Sequence, residues 1–276
     1  MLTWAEAWRA ALYGAGPSGA ASATASAAAS GAGFYVRGRG AGADFRTPAT
    51  ADPLGLARSL LTHAPAPGAV TDVGAGRGHL LAAFAELLPD EVVLTGVEVG
   101  PRPDGLPDRV AWQHELPARL TGLVVAVELL DVIPCDVVVD GRVVLVDSDG
   151  AEALGPPPDA DAAAWLDEWW PSWRDGARAE VGRPRDATWA AVTARLRPGS
   201  VAVGVDYGHT RADRPDGGTL TGYRDGRQVV PVPDGSMDLT AHVALDSVSA
   251  AVGATVMSCR LASWPRHHRI VLDTCA

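Results

Sequence analysis

The stretch VTDVGAGRGHLLAAFAELL (70–88), followed by EVVLTGVE (91–98), decides the fold. VTDVG (70–74) is a short apolar strand, Asp72-Val-Gly-Ala-Gly-Arg-Gly78 is a glycine-rich turn, and HLLAAFAELL (79–88) is a helix. Leu80, Phe84 and Leu88 share one face of that helix, and Pro89 stops it. EVVLTGVE is the next buried strand, GLVVAVE (122–128) another, and SVAVGVDYG (200–208) a further central one. Buried apolar strands alternating with helices imply a parallel sheet covered on both faces, so the expected fold class is α/β. TVMSCRL and HRIVLDT near the C-terminus are expected to close the sheet.

Glycines at 74, 76 and 78 let the backbone turn sharply where a strand hands over to a helix, which is where open α/β sheets bind ligands. A dinucleotide fingerprint G-x-G-x-x-G would put its third glycine on His79, which counts against an NAD or FAD oxidoreductase. A phosphate loop needs Lys, and the chain has none. A turn suited to a nucleoside with an amino-acid tail remains, alongside a purely structural loop. Glu98 ends the next strand, where a carboxylate can accept hydrogen bonds from both ribose hydroxyls; a solvated strand-end acid is the alternative. Strand, turn, helix, strand and terminal acid together suit S-adenosylmethionine as cofactor.

The 276 residues carry 23 basic side chains, all Arg, against 33 acidic ones, for a net charge of −10. That balance argues against non-specific phosphate neutralisation, so no nucleic-acid partner is expected. Three cysteines without C-x-x-C spacing indicate neither a disulfide framework nor a metal knuckle, and no metal site is expected. The opening MLTWAEAWRAAL lacks the pattern of a signal peptide, and no long unbroken apolar window follows. The expectation is a cytoplasmic protein that does not contact membrane.

Further out, Thr3 with Glu6 forms a capping box for a helix to Gly14 with Trp4, Trp8 and Leu12 on one side. The stretch 15–33, almost wholly Gly, Ala and Ser, reads as a flexible insertion. Asp52 and Pro53 start a helix to Ala64. Asp140-Gly141 lies between two alternating runs, a hairpin signal. DADAAAWLDEWW and RDATWAAVTARL are two more helices, and Trp165, Trp169, Trp170 and Trp173 are expected to pack the region from Cys135 to Pro198, with a substrate groove as the lesser alternative.

Six segments in order, ADFRTPATADPLG (43–55), TDVGAGRGHLL (71–81), AVELLDVIPCDVV (126–138), VDYGH (205–209), GGTLTGYR (217–224) and DLTAHV (238–243), resemble the MidA-like methyltransferases. That family includes the mitochondrial protein-arginine methyltransferase that assists assembly of respiratory complex I. The resemblance implies a class I S-adenosylmethionine-dependent (Rossmann-like) fold in a single domain, 1–276, with an enlarged region at 135–198 forming the acceptor side. By position it implies cofactor roles for Asp72, Gly74, Gly76, Gly78 and Glu98, and a place beside the reactive methyl for Glu128 and Asp131. It also implies a protein substrate and methylation of arginine. Val127 departs from the pattern, since similar proteins commonly hold a polar residue such as Asn there.

Glu128 and Asp131 can orient a guanidinium, which keeps its proton because its pKa exceeds about 12; a helix N-terminal acid cluster is the other reading. Asp206, His209 and His242 are candidate pocket residues, each histidine as a base, as a donor to substrate or as a packed side chain. Trp112 and Gln113 either face adenine or belong to the core. A different class of protein, an assembly factor that keeps the fold without turnover, is the alternative to an enzyme.

Overall fold

The computed structural model describes residues 1–14, 33–36 and 47–253, with the backbone of 255–258 and 268–274. Apart from Gly33, the stretch 15–33 expected to be flexible lies outside the described residues. The chain opens with β1 (Leu2–Thr3) and α1 (Trp4–Tyr13). Thr3 Oγ1 caps the N–H of Glu6, the Glu6 carboxylate returns to the N–H of Thr3, and the helix ends at Gly14. Next come α2 (Pro48–Ala51) and α3 (Pro53–Leu61), the latter capped by Asp52. It stops at Leu61, short of the expected Ala64, because Thr62 and His63 bond back in a tighter turn to Ser59 and Leu60.

The α/β unit follows: β2 (Ala69–Val73), α4 (His79–Leu87), β3 (Val93–Val97), β4 (Val110–Gln113) and β5 (Leu123–Val127). Every residue of β5 is buried, as a strand covered on both faces requires. Between β5 and the return to the sheet the chain forms β6 (Val137–Val139), β7 (Arg142–Val146), β8 (Glu152–Leu154), α5 (Ala160–Trp169), β9 (Ala179–Glu180) and α6 (Arg183–Thr193). Asp140 and Gly141 join β6 to β7 with φ of 50° and 72°, as the two-residue hairpin demands. Trp165, Trp170 and Trp173 are buried together against Val138 and Val143.

The chain returns to the sheet as β10 (Val201–His209) and then makes a second excursion: β11 (Thr221–Arg224), β12 (Arg227–Val229), β13 (Asp238–Thr240) and β14 (Val243–Ala244). Finally α7 (Leu245–Val252), β15 (Thr255–Ser258) and β16 (His268–Thr274) complete the chain order. The central sheet runs β15-β16-β10-β5-β2-β3-β4, with β4, β3, β2, β5 and β10 mutually parallel and β16 antiparallel to β10. This is the expected α/β class I methyltransferase sheet.

Two features were not read from the sequence. The three-stranded sheet β12-β11-β13 forms from segments without alternating apolar patterning. Residues Leu2 and Thr3 pair with Val146 and Leu145, so the N-terminus closes the edge of the inserted hairpin. The Trp8 indole donates to the carbonyl of Leu239 (3.0 Å), pinning α1 onto β13. Among the described residues no helix is long and apolar enough to cross a membrane.

Candidate active site

All the parallel strands end on one edge of the sheet, and the chain order reverses between β2 and β5, so a crevice opens there. On one side of it, the N–H groups of Gly74 and Ala75 bond back to the carbonyl of Val97 (2.9 and 3.3 Å), fixing the turn after β2 to the end of β3. Gly74 has φ +77° and Gly76 φ +53°, values that L side chains rarely adopt. A Cβ on Gly74 would meet Leu129 at 2.9 Å, so this turn touches the loop after β5. A Cβ on Gly76 would meet nothing within 4 Å. The backbone there borders open space that a ligand can approach closely.

Glu98 stands beside this space. Its Oε2 accepts from the N–H of Gly76 (2.8 Å), and its Oε1 from the N–H groups of Val99 (2.8 Å) and Gly100 (3.2 Å). Burial raises its pKa, and the three backbone donors offset part of that rise. Asp72 is buried under the turn, and burial followed by the charge of Glu98 pushes it up to about 7. Trp112 and Gln113 lie within β4 and not after it. The Trp112 ring packs against Gly96 and donates to the carbonyl of Gly100 (3.1 Å), the core alternative, while Gln113 is exposed at the strand end. His114, which sequence reasoning passed over, bonds the carbonyl of Glu98 through Nδ1 (2.9 Å).

Across the crevice, Glu128 follows β5 with φ 53°, strained for a residue with a side chain. Its carboxyl is hydrogen-bonded to Tyr207. Asp206 accepts from the N–H groups of Leu130 (2.8 Å) and Asp131 (3.4 Å), so the end of β10 holds the loop that carries the acids. Asp131, Asp206 and Asp238 are each almost fully buried. Burial, and for Asp131 and Asp206 the neighbouring carboxylates, raise the carboxyls of Glu128, Asp131 and Asp206. Asp131 Oδ1 is buried with no hydrogen-bond partner among the described residues.

A buried cation underlies this group. Arg185 of α6 donates to the carbonyls of Asp131 (3.2 Å), Ile133 (3.2 Å) and His242 (2.9 Å), tying the loop after β5 to the stretch before β14. Neither Arg185 nor Asp238 was singled out from the sequence as a site residue. Arg185 looked like an ordinary polar position of a helix, and only its complete burial marks it.

His209 is not arranged as a base, contrary to one expectation. Arg214 donates to its Nδ1 (2.5 Å), leaving the ring proton on Nε2, and burial followed by Arg214 pushes its pKa down to about 2. His242 is half-buried with its ring stacked on Tyr207 at 5.9 Å.

With both sides of the crevice described, comparison with known proteins identifies the chemistry. Residues 58–261 match the family described as "Putative S-adenosyl-L-methionine-dependent methyltransferase". The chain belongs to that family. A structure from Burkholderia thailandensis bound to S-adenosyl-homocysteine is similar over 98% of this chain and 87% of its own, with 23% identity and a TM-score of 0.69. A second structure from the same organism, solved by iodide phasing, matches over 98% and 86% at 23% identity and a TM-score of 0.68. Comparison with curated proteins finds no match.

The residues present fit the cofactor of an S-adenosyl-L-methionine-dependent methyltransferase. The open cradle over Gly76 is where a Cβ would intrude on a ligand, and Glu98 presents a carboxylate beside it. In this methyltransferase the glycine turn and the acid-bearing loop after β5 meet at Gly74 and Leu129.

Proposed function

We propose that this methyltransferase modifies an arginine on a protein partner, in the manner of the MidA-like enzymes it resembles. The observation that carries the reading is the buried acid cluster with Asp131 Oδ1 lacking a hydrogen-bond partner among the described residues. A buried polar atom without a partner costs about 1 to 3 kcal/mol, more for a charged group, and a planar cation with forked donors removes that cost. Arg185 spends the donors described here on backbone carbonyls, so it braces the acids.

In this reading Asp72, Gly74, Gly76, Gly78 and Glu98 hold the cofactor, with Glu98 on the ribose. Bound S-adenosyl-L-methionine supplies a methyl group on a positively charged sulfur. Glu128 and Asp131 hold the guanidinium and localise its charge away from one nitrogen, which is thereby aimed at the methyl carbon. As the nitrogen–carbon bond forms, the carbon–sulfur pair leaves with sulfur and the nitrogen sheds a proton. Glu128 receives it: burial raises its carboxyl toward neutrality, where a base works best. The region 135–198 contributes to the acceptor side through Arg185.

Purified protein, a tritiated methyl donor and lysate of its own organism test this. Label should appear in protein and be recovered as methylarginine after hydrolysis. Label confined to a small molecule or nucleic acid overturns the arginine reading. Binding of the donor without transfer to any fraction favours the assembly factor instead.

A further inference from the structure

The chain has four tyrosines, Tyr13, Tyr35, Tyr207 and Tyr223, and they come from four separate segments. All four lie at the acid cluster. The Tyr35 hydroxyl donates to Asp238 Oδ1 (2.8 Å), and its ring stacks on Tyr13 with centroids 5.8 Å apart. Tyr223 sits directly across from Asp238 in the β11–β13 register, which puts the two side chains on one face of that sheet. Tyr207 bonds Glu128 and stacks on His242. The Tyr13 hydroxyl reaches the carbonyl of Val132 (3.4 Å), beside Asp131.

Exposure divides these groups in a telling way. Asp131 and Asp238 are sealed from solvent, at 2% and 0%, whereas all four tyrosines and His242 are half-buried. The acids are sealed beneath rings that are themselves partly open to solvent, and the rings pair off as Tyr13 with Tyr35 and Tyr207 with His242. Burial raises the pKa of every one of the four hydroxyls, and Asp131 contributes to the rise in each case, so the rings stay neutral and Asp131 lies within reach of all of them. The charge of Glu98 also raises the Tyr13 hydroxyl.

We propose that Tyr13, Tyr35, Tyr207 and Tyr223 form an aromatic box over Asp131 and Asp238 that selects the acceptor as a delocalised cation, ring faces receiving the guanidinium plane and the carboxylates receiving its N–H groups. Neutral rings attract a cation through their faces without adding charge to an already crowded acid cluster. A guanidinium also stacks on aromatic faces where a compact ammonium does not, so the box favours arginine over lysine. The tyrosines are specificity-determining residues in this account. It rests on the reading of an arginine acceptor but is tested apart from it.

Calorimetry on the whole protein saturated with S-adenosyl-homocysteine, titrated with the N-acetyl methylamides of arginine, lysine and citrulline, reads the box directly. The arginine derivative should bind, the lysine derivative more weakly, and the neutral citrulline isostere not at all. Tyr223→Leu should weaken the arginine derivative by roughly 3- to 30-fold, and Tyr223→Phe, which keeps the ring, by little. Tyr35→Leu gives a second variant should the first fail to fold, and a thermal melt of each reports folding. Equal binding of citrulline, no binding of any probe, or a Leu variant that binds like the native protein overturns the box. Tighter binding of lysine than of arginine likewise overturns a box selective for a delocalised cation, whereas the expected order of the three probes with no methylarginine formed from the arginine derivative removes the arginine reading alone.

Discussion

At the glycine turn the partners Gly76 and Glu98 are 22 residues apart, whereas at the acid cluster Tyr35 and Asp238 are 203 apart. The first side is made mostly of backbone: three glycines with positive φ, at 74, 76 and 78, backbone N–H groups, and one carboxylate whose charge is met by three amides. The second is made of side chains, several of them acids whose burial is only partly compensated. The difference teaches that one half of the cleft is pre-satisfied and waits on a ligand for shape, and that the other is electrostatically incomplete and waits on a ligand for charge. On the proposed function, binding of cofactor and binding of acceptor should therefore be separable by mutation.

The largest effect should come from Asp131→Asn, which keeps the shape and deletes the charge. Turnover should fall by about 10²- to 10³-fold, as when one electrostatic stabiliser is removed from an active site. Cofactor affinity, read by calorimetry, should not move. An equal loss in both would erase the division between the two halves.

Glu98→Ala is the reciprocal variant. It removes a charged hydrogen-bond acceptor from the cofactor side, so S-adenosyl-L-methionine should bind more weakly by about 1.5 to 3 kcal/mol. The arginine derivative should still bind the variant when cofactor product is supplied at saturation. Unchanged cofactor affinity would remove Glu98 from the ribose role.

A smaller effect concerns pH. Burial lifts Glu128 from its ordinary 4.5 to about 8, so the folded protein holds a proton that the unfolded chain has released across that window. Stability from this group is complete below about 4.5 and is lost as pH rises toward about 8, because the folded state binds more protons than the unfolded one. Glu128→Gln removes the titration. Its melting temperature should match the native protein near pH 4.5 and exceed it by a few degrees near pH 8, while methyl transfer falls. A native melting curve flat across that range, or one lowered by Glu128→Gln at pH 8, would place an unrecognised cation beside the carboxylate.

Legibility follows the same division. Strand, turn, helix, strand and Glu98 were readable because each signal is local: apolar runs mark buried strands, and glycine marks left-handed backbone. The Asp140-Gly141 hairpin was readable for the same reason. The end of α3 was not, since that helix stops where Thr62 and His63 tighten the turn and not where apolar residues run out. The loop acids Glu128 and Asp131 stood out beside a buried strand. Asp238 and the role of Tyr35 did not, because their neighbours are distant in sequence and their segment shows no periodicity.

The amino-acid order alone determined the α/β class, the glycine turn after β2 and the pair of acids after β5, since these depend on residue spacings within a few turns or strands. The tertiary structure alone decided which acids are buried, that His209 is held neutral by burial and by Arg214, and that Arg185 braces the acid loop. Burial is a property of what packs above a residue, and here the cover comes from α1, from α6 and from the sheet β12-β11-β13, elements joined to the acids only through space. A carboxylate written in the sequence carries its charge with it; the proton affinity and the partner it ends up with are set by the folds of chain that close over it.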